Sequence, residues 1–118
     1  MPKTSTQTGA KAERLVREYL EARGFRFLYQ NYRNGKYEID LIMEDGTYLV
    51  FVEVKARTSD RYGTPAAFVT AKKQANIIAA ASAFLAEQEN IDRFVRFDVA
   101  EVYLDRGEIR YLPDAFRA

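Results

Sequence analysis

The chain has 118 residues, with 18 Lys plus Arg set against 17 Asp plus Glu, and it contains no His, Cys or Trp. Those absences exclude a disulfide framework, a Cys/His zinc site, a thiol nucleophile and a serine–histidine couple. Any chemistry therefore rests on carboxylates, Lys, Arg, Tyr and hydroxyls, with an oxygen-seeking hard cation as the natural helper.

Residues 1–7 are polar and read as a frayed lead-in. From about Thr8 to Arg23 the apolar positions Ala12, Leu15, Val16, Tyr19 and Leu20 recur at helical spacing, with Thr8 or Thr6 as N-cap and Gly24 as the stop. Aromatic-rich Phe25–Tyr32 reads as a strand, followed by an Asn34-Gly35 turn. Tyr37–Met43 reads as a second strand and Asp45-Gly46 as a second turn. Tyr48–Arg57 is a third strand, apolar on both faces and so expected at the centre of a sheet. A polar loop over 58–65, containing Gly63 and Pro65, leads into a long helix from about Thr70 to Gln88. Its inner stripe is Ile77, Ile78, Ala81, Phe84 and Leu85. Arg93–Leu104 and Glu108–Leu112 complete an αβββαββ order: one α/β domain over 1–118, with a mixed sheet of about five strands covered by helices. No apolar run approaches the roughly 20 residues of a membrane helix, and no signal-like core follows Met1. The expectation is a soluble, cytoplasmic protein.

The net charge of +1 conceals a partition into blocks of +5 (1–36), −5 (37–54), +4 (55–76) and −3 (77–118). The acidic block is the informative one. Two strands expected to be mostly buried carry Glu38, Asp40, Glu53 and Lys55. A hairpin closed with Met43 opposite Tyr48 sets Asp40 opposite Phe51 and Glu38 opposite Glu53. Alternation then points all of these acids to one face, with Asp40 and Glu53 about 7–8 Å apart as diagonal neighbours. Like charges in that arrangement destabilise a sheet, whereas a divalent cation such as Mg²⁺ or Mn²⁺ would neutralise them. The competing reading is a solvated face of ordinary surface charges. Glu13, at the edge of the first helix's apolar stripe, could reach the same place. Gln74 falls on the inner face of the second helix with Lys73 at its edge, and a partly buried amide bonded to nearby backbone explains Gln74 equally well.

An acid on one strand followed by Glu-x-Lys on its neighbour resembles the PD-(D/E)xK signature of restriction-endonuclease-like nucleases, here Asp40 and Glu53-Val54-Lys55. With Gly9-Ala10-Lys11-Ala12-Glu13, Asn31-Tyr32-Arg33, Glu38-Ile39-Asp40-Leu41-Ile42, Gly63, Lys73-Gln74, Arg96-Phe97-Asp98 and Asp114-Ala115-Phe116, the likeness extends over nearly the whole chain to the bacterial YraN family. That family looks like a small relative of archaeal Holliday-junction resolvases. One departure is Tyr37, which stands where the family usually has glycine before its Glu-Ile-Asp triplet.

The resemblance implies a three-layer restriction-endonuclease-like fold. It implies Asp40, Glu53 and Glu13 as metal ligands, Lys55 as the catalytic lysine, and Glu38 and Gln74 behind them. Mg²⁺ or Mn²⁺ is the expected cofactor and DNA the expected partner, with Arg33, Arg57, Arg61 and Lys73 as the candidates for positioning its phosphates, and the resolvase-like relatives suggest a homodimer. The expected activity is hydrolysis of DNA phosphodiesters, selective for branched or processed structure rather than sequence. Two rivals stand beside it. One is a non-catalytic nucleic-acid-binding module on a nuclease fold. The other is an adaptor that uses apolar surface such as Phe68 or Phe94.

Overall fold

The computed structural model describes residues 2–57, 69–88 and 93–118, with side chains from residue 9 onward. Helix α1 (Pro2–Ala22) begins earlier than the expected Thr8, so residues 2–7 continue it. It is followed by strands β1 (Arg26–Asn34), β2 (Tyr37–Asp45) and β3 (Tyr48–Arg57), helix α2 (Ala71–Glu87), and strands β4 (Phe94–Tyr103) and β5 (Glu108–Phe116). The order is the expected αβββαββ. The last strand runs four residues past Leu112, and the expected loop with Gly63 and Pro65 lies outside the described residues.

Local chemistry explains the helix ends. Gly24 takes a φ of +92°, and the N–H groups of Gly24 and Phe25 donate to the carbonyls of Glu21 and Leu20 at 3.0 Å each. This paired arrangement closes α1, and a side chain at Gly24 would be strained at that φ. Thr70 caps α2 by accepting the Lys73 N–H on its hydroxyl at 3.1 Å.

Among the described residues the sheet has five strands in the order β1-β2-β3-β4-β5, so β3 is central as its two apolar faces require. β3 and β4 run parallel across α2, and all other neighbours are antiparallel. One helix covers each face. Ala12, Val16 and Leu20 of α1 pack with Leu41, Met43, Val50, Val52, Ala100 and Val102. Ile77, Ala80, Ala81 and Phe84 of α2 pack with Ile42, Phe51, Phe97 and Phe116 on the other side. The result is three layers with the core split by the sheet.

The turn between β2 and β3 is two residues, Gly46-Thr47, with Asp45 paired to Tyr48. The expected pairs Met43–Tyr48, Asp40–Phe51 and Glu38–Glu53 are therefore displaced by two residues. Met43 faces Val50, Ile42 faces Phe51, and pairing ends at Leu41–Val52. A two-residue shift preserves the alternation of faces as far as the pairing extends and moves Asp40 level with Glu53, whereas Glu38, beyond the last pair, does not keep the expected common face.

A second buried acid secures the far strand. Asp98 is fully buried and accepts from Arg96 Nε and Nη2 at 2.9 Å each, from the Asp114 N–H at 2.8 Å, and from the Tyr111 hydroxyl. Asp114 follows Pro113 and has a φ of +53°, where the β4–β5 register shifts. Asp98 thus satisfies a backbone N–H that the interrupted ladder leaves over. Replacing Asp98 with Ala strands a half-buried guanidinium and a half-buried phenol, and should cost about 3–5 kcal/mol of unfolding free energy, read from urea denaturation.

Candidate functional site

The site forms where β2 and β3 part. Beyond Leu41–Val52 the strands no longer pair, and Asp40 Oδ2 accepts the Val54 N–H at 2.8 Å instead. The carboxylate thus replaces a carbonyl of the neighbouring strand. Across β1 the ladder is also interrupted: Gln30 pairs with Leu41 and Tyr32 with Ile39, while Asn31 between them has a φ of +55°. Ile39 joins the α2-side core although Leu41, two residues on, joins the α1-side core. Strict alternation would put both on one side, so β2 rotates at Asp40.

Val54, the residue whose N–H Asp40 takes, lies between Glu53 and Lys55. Glu53 is only 4% exposed. Its Oε2 lies 3.4 Å from Lys55 Nζ and 3.5 Å from Lys73 Nζ, so two ammoniums share one carboxylate oxygen. Among the described residues no cation pairs with Asp40 in that way. Burial, then the Glu53 charge, then Glu13 and a hydrogen bond to Glu53 push its pKa up to about 8, against the lowering effect of the Val54 N–H.

Glu13 approaches from α1. Its Oε1 accepts from Gln30 Nε2 at 3.2 Å. Partial burial raises its pKa, the amides of Gln30 and Asn31 oppose that, and the charges of Glu38 and Glu53 add to it. Among the described residues no three acidic side chains are gathered closely enough to form a metal cage. Asp40 and Glu53 meet; Glu13 is held by Gln30 at their side.

The remaining expected residues divide. Glu38 forms a cross-strand ion pair with Arg33 at 3.3 Å. Gln74 Nε2 donates to the Val69 carbonyl at 3.0 Å rather than to an acid of the site, the backbone-bonded alternative considered for it. It fastens the start of the helix that carries Lys73. Arg57 is not a free phosphate contact, because its Nε donates to the buried Glu101 at 2.9 Å. Arg61 and Phe68 lie outside the described residues, and Phe94 is exposed. Sequence reasoning missed the Lys73–Glu53 pair and both buried acids of β4. Asp98 and Glu101 each have a partner two residues away on the same strand face, Arg96 and Tyr103, and that spacing was the available signal.

Fold and site together define a class: a three-layer α/β protein whose acid–acid–lysine cluster occupies a split between its central strands. The chain belongs to the uncharacterised protein family UPF0102, whose family model matches residues 12–102, in agreement with the likeness read from the motifs. It is 42% identical over 110 residues to a UPF0102 protein of Geobacter metallireducens, covering 92% of this chain and 90% of that one. It is 46% identical over 117 residues to one of Symbiobacterium thermophilum, covering 97% and 99%. To one of Klebsiella pneumoniae it is 45% identical over 116 residues, covering 95% and 88%. No helix among the described residues is long and apolar enough to cross a membrane.

The raised Asp40 pKa gives a signed prediction. The fold favours protonated Asp40, so its contribution to stability is full below the ordinary value of 3.8 and is lost as pH rises through about 8. In chelator, unfolding free energy should fall across that window, and Asp40→Asn should flatten the fall. Urea denaturation at stepped pH checks both.

Proposed function

We propose that this protein is a metal-dependent nuclease that hydrolyses DNA phosphodiester bonds and selects branched or processed DNA by shape. One observation carries the reading: Asp40, Glu53 and Lys55 are brought to one point by the parting of β2 and β3, with Asp40 fixed to the backbone between the other two. The likeness of this acid, Glu-x-Lys arrangement to the PD-(D/E)xK nucleases supplies the reaction class.

The donor set suits Mg²⁺ or Mn²⁺, since the converging groups are carboxylate oxygens and a chain without His or Cys offers no imidazole or thiolate ligand. Asp40 and Glu53 would hold the cation, with Glu13 completing the set. When bound, it supplies Lewis acidity at the phosphate and a more acidic water. The chain's own residues supply the rest. Lys55, only 26% exposed, presents an ammonium where charge develops on the phosphoryl oxygens and holds a proton beside the attacking water. Lys73 brings a second ammonium from α2, and the Glu38–Arg33 pair lies on the β1 side of Asp40.

A second reading, a binding module without catalysis, is favoured by one specific feature. Glu53 is already compensated by two lysines, and the third acid stands apart. One set of measurements separates the two: branched, flapped, single-stranded and linear DNA offered with Mg²⁺ or Mn²⁺, alongside calorimetric titration of Mn²⁺. The nuclease reading expects cleavage of branched or flapped DNA, reduced at least ~100-fold by Asp40→Asn or Lys55→Ala. Cleavage indifferent to both substitutions would sink it. Salt-sensitive DNA binding without Mn²⁺ binding or cleavage would establish the module instead.

A further inference from the structure

We infer that one flank of α1, centred on Lys11 and Arg14, is a phosphate-binding surface that seats the DNA backbone beside Asp40. The inference rests on the reading of DNA as partner and identifies where that partner lies.

It starts from how the cations are distributed. Of those expected to hold phosphate, Arg33 is paired with Glu38, Arg57 with Glu101 and Lys73 with Glu53. Arg93, Arg96 and Arg117 are likewise paired, with Glu44, Asp98 and Asp114. A cation already neutralised by a protein carboxylate gains little from a phosphate, because the new contact must replace the old one. Lys11 and Arg14 are exposed and enter no ion pair among the described residues.

The two do not stand on a bare helix. They line a cavity of about 650 Å³ whose other polar walls are Arg17, Glu18, Glu21 and Gln30. Arg17 is engaged there, at 3.4 Å from Glu21 and with its guanidinium 3.6 Å from the centroid of the Phe27 ring. Glu18 opposes one charge, which leaves the cavity net positive. Three residues apart on a helix, Lys11 and Arg14 are neighbours on its surface and can take opposite sides of one phosphate. Both lie well inside α1, so the charge is their own and not that of a helix end.

Gln30 joins this cavity to the reacting centre. It forms part of the wall, and its side-chain amide donates to Glu13 at 3.2 Å. Glu13 in turn lies close enough for its charge to act on Asp40. A strand whose scissile phosphate lies at Asp40 and Glu53 would pass Gln30 and meet Lys11 and Arg14 on leaving the site. A membrane surface fits poorly, since every lining residue except Ala10 carries a charged or amide side chain.

The test is fluorescence anisotropy of the full chain with labelled flapped DNA, in chelator, over a series of salt concentrations. The variants are Lys11→Ala, Arg14→Ala, their double, Arg14→Lys and Arg23→Ala. Arg23 is an exposed residue just beyond the C-terminal end of α1 and matches the charge lost in either single variant. The double variant should bind about tenfold or more weakly at low salt, and the slope of log affinity against log salt should fall by about one to two. Arg14→Lys should bind like wild type and Arg23→Ala should lose less than about twofold, which separates local charge from helix packing and from net charge. A double variant with wild-type affinity and slope would overturn the proposal, as would an Arg23→Ala loss equal to that of Arg14→Ala. Wild-type protein that fails to bind DNA at low salt would overturn the underlying DNA reading, and this proposal with it.

Discussion

Between β2 and β3 a side-chain carboxylate stands in for a backbone carbonyl, and the geometry of the site follows from that substitution. The Val54 N–H lies on a mostly buried central strand and must be satisfied as pairing ends at Leu41–Val52. Asp40 satisfies it at 2.8 Å. The same bond sets the separation of the two strands and holds the aspartate against the backbone between Glu53 and Lys55. Asn31 completes the arrangement from β1. Its left-handed backbone lets the ladder pass over Asp40 and places an amide where it eases the charge on Glu13.

Two buried aspartates of this sheet show how far surroundings decide what an acid does. Asp98 receives a bidentate guanidinium, a phenol and a backbone N–H, so its charge is met on every side. Asp40 receives one backbone donor and faces Glu53, and it is held towards its neutral form. The first locks β5 to β4. The second keeps a local electrostatic tension that the rest of the fold must carry, a pattern typical of positions kept for chemistry rather than stability.

The elements were largely legible because their signals are local. The stripes of Ala12, Val16 and Leu20 and of Ile77, Ala81 and Phe84 are buried as their spacing requires, and Gly24 ends α1 as its freedom of φ allows. The hairpin register was less so. Asp45-Gly46 marks the turn, but loop length decides the pairs, and the two-residue Gly46-Thr47 connection moved every partner by two. A displacement of two leaves parity unchanged, which is why Asp40, Glu53 and Lys55 converge. Partners of the cations were not legible. Arg57 finds Glu101 through the parallel register of β3 and β4, where Arg57 pairs with Tyr103 and Lys55 with Glu101. Nothing near Arg57 in the chain announces that neighbour.

The two irregular residues Asn31 and Asp114 lie on β1 and β5, which are the outermost strands of the sheet. An outermost strand presents unpaired backbone groups to any extended chain that drifts past, and a long flat one invites accretion. Here each is broken by a left-handed residue, with exposed Arg26 and Arg33 along one and Pro113, which has no N–H to offer, on the other. The bends that shape the site on one side and anchor the last strand on the other therefore also deny a sixth strand a place to add, and so protect the sheet from edge-to-edge aggregation.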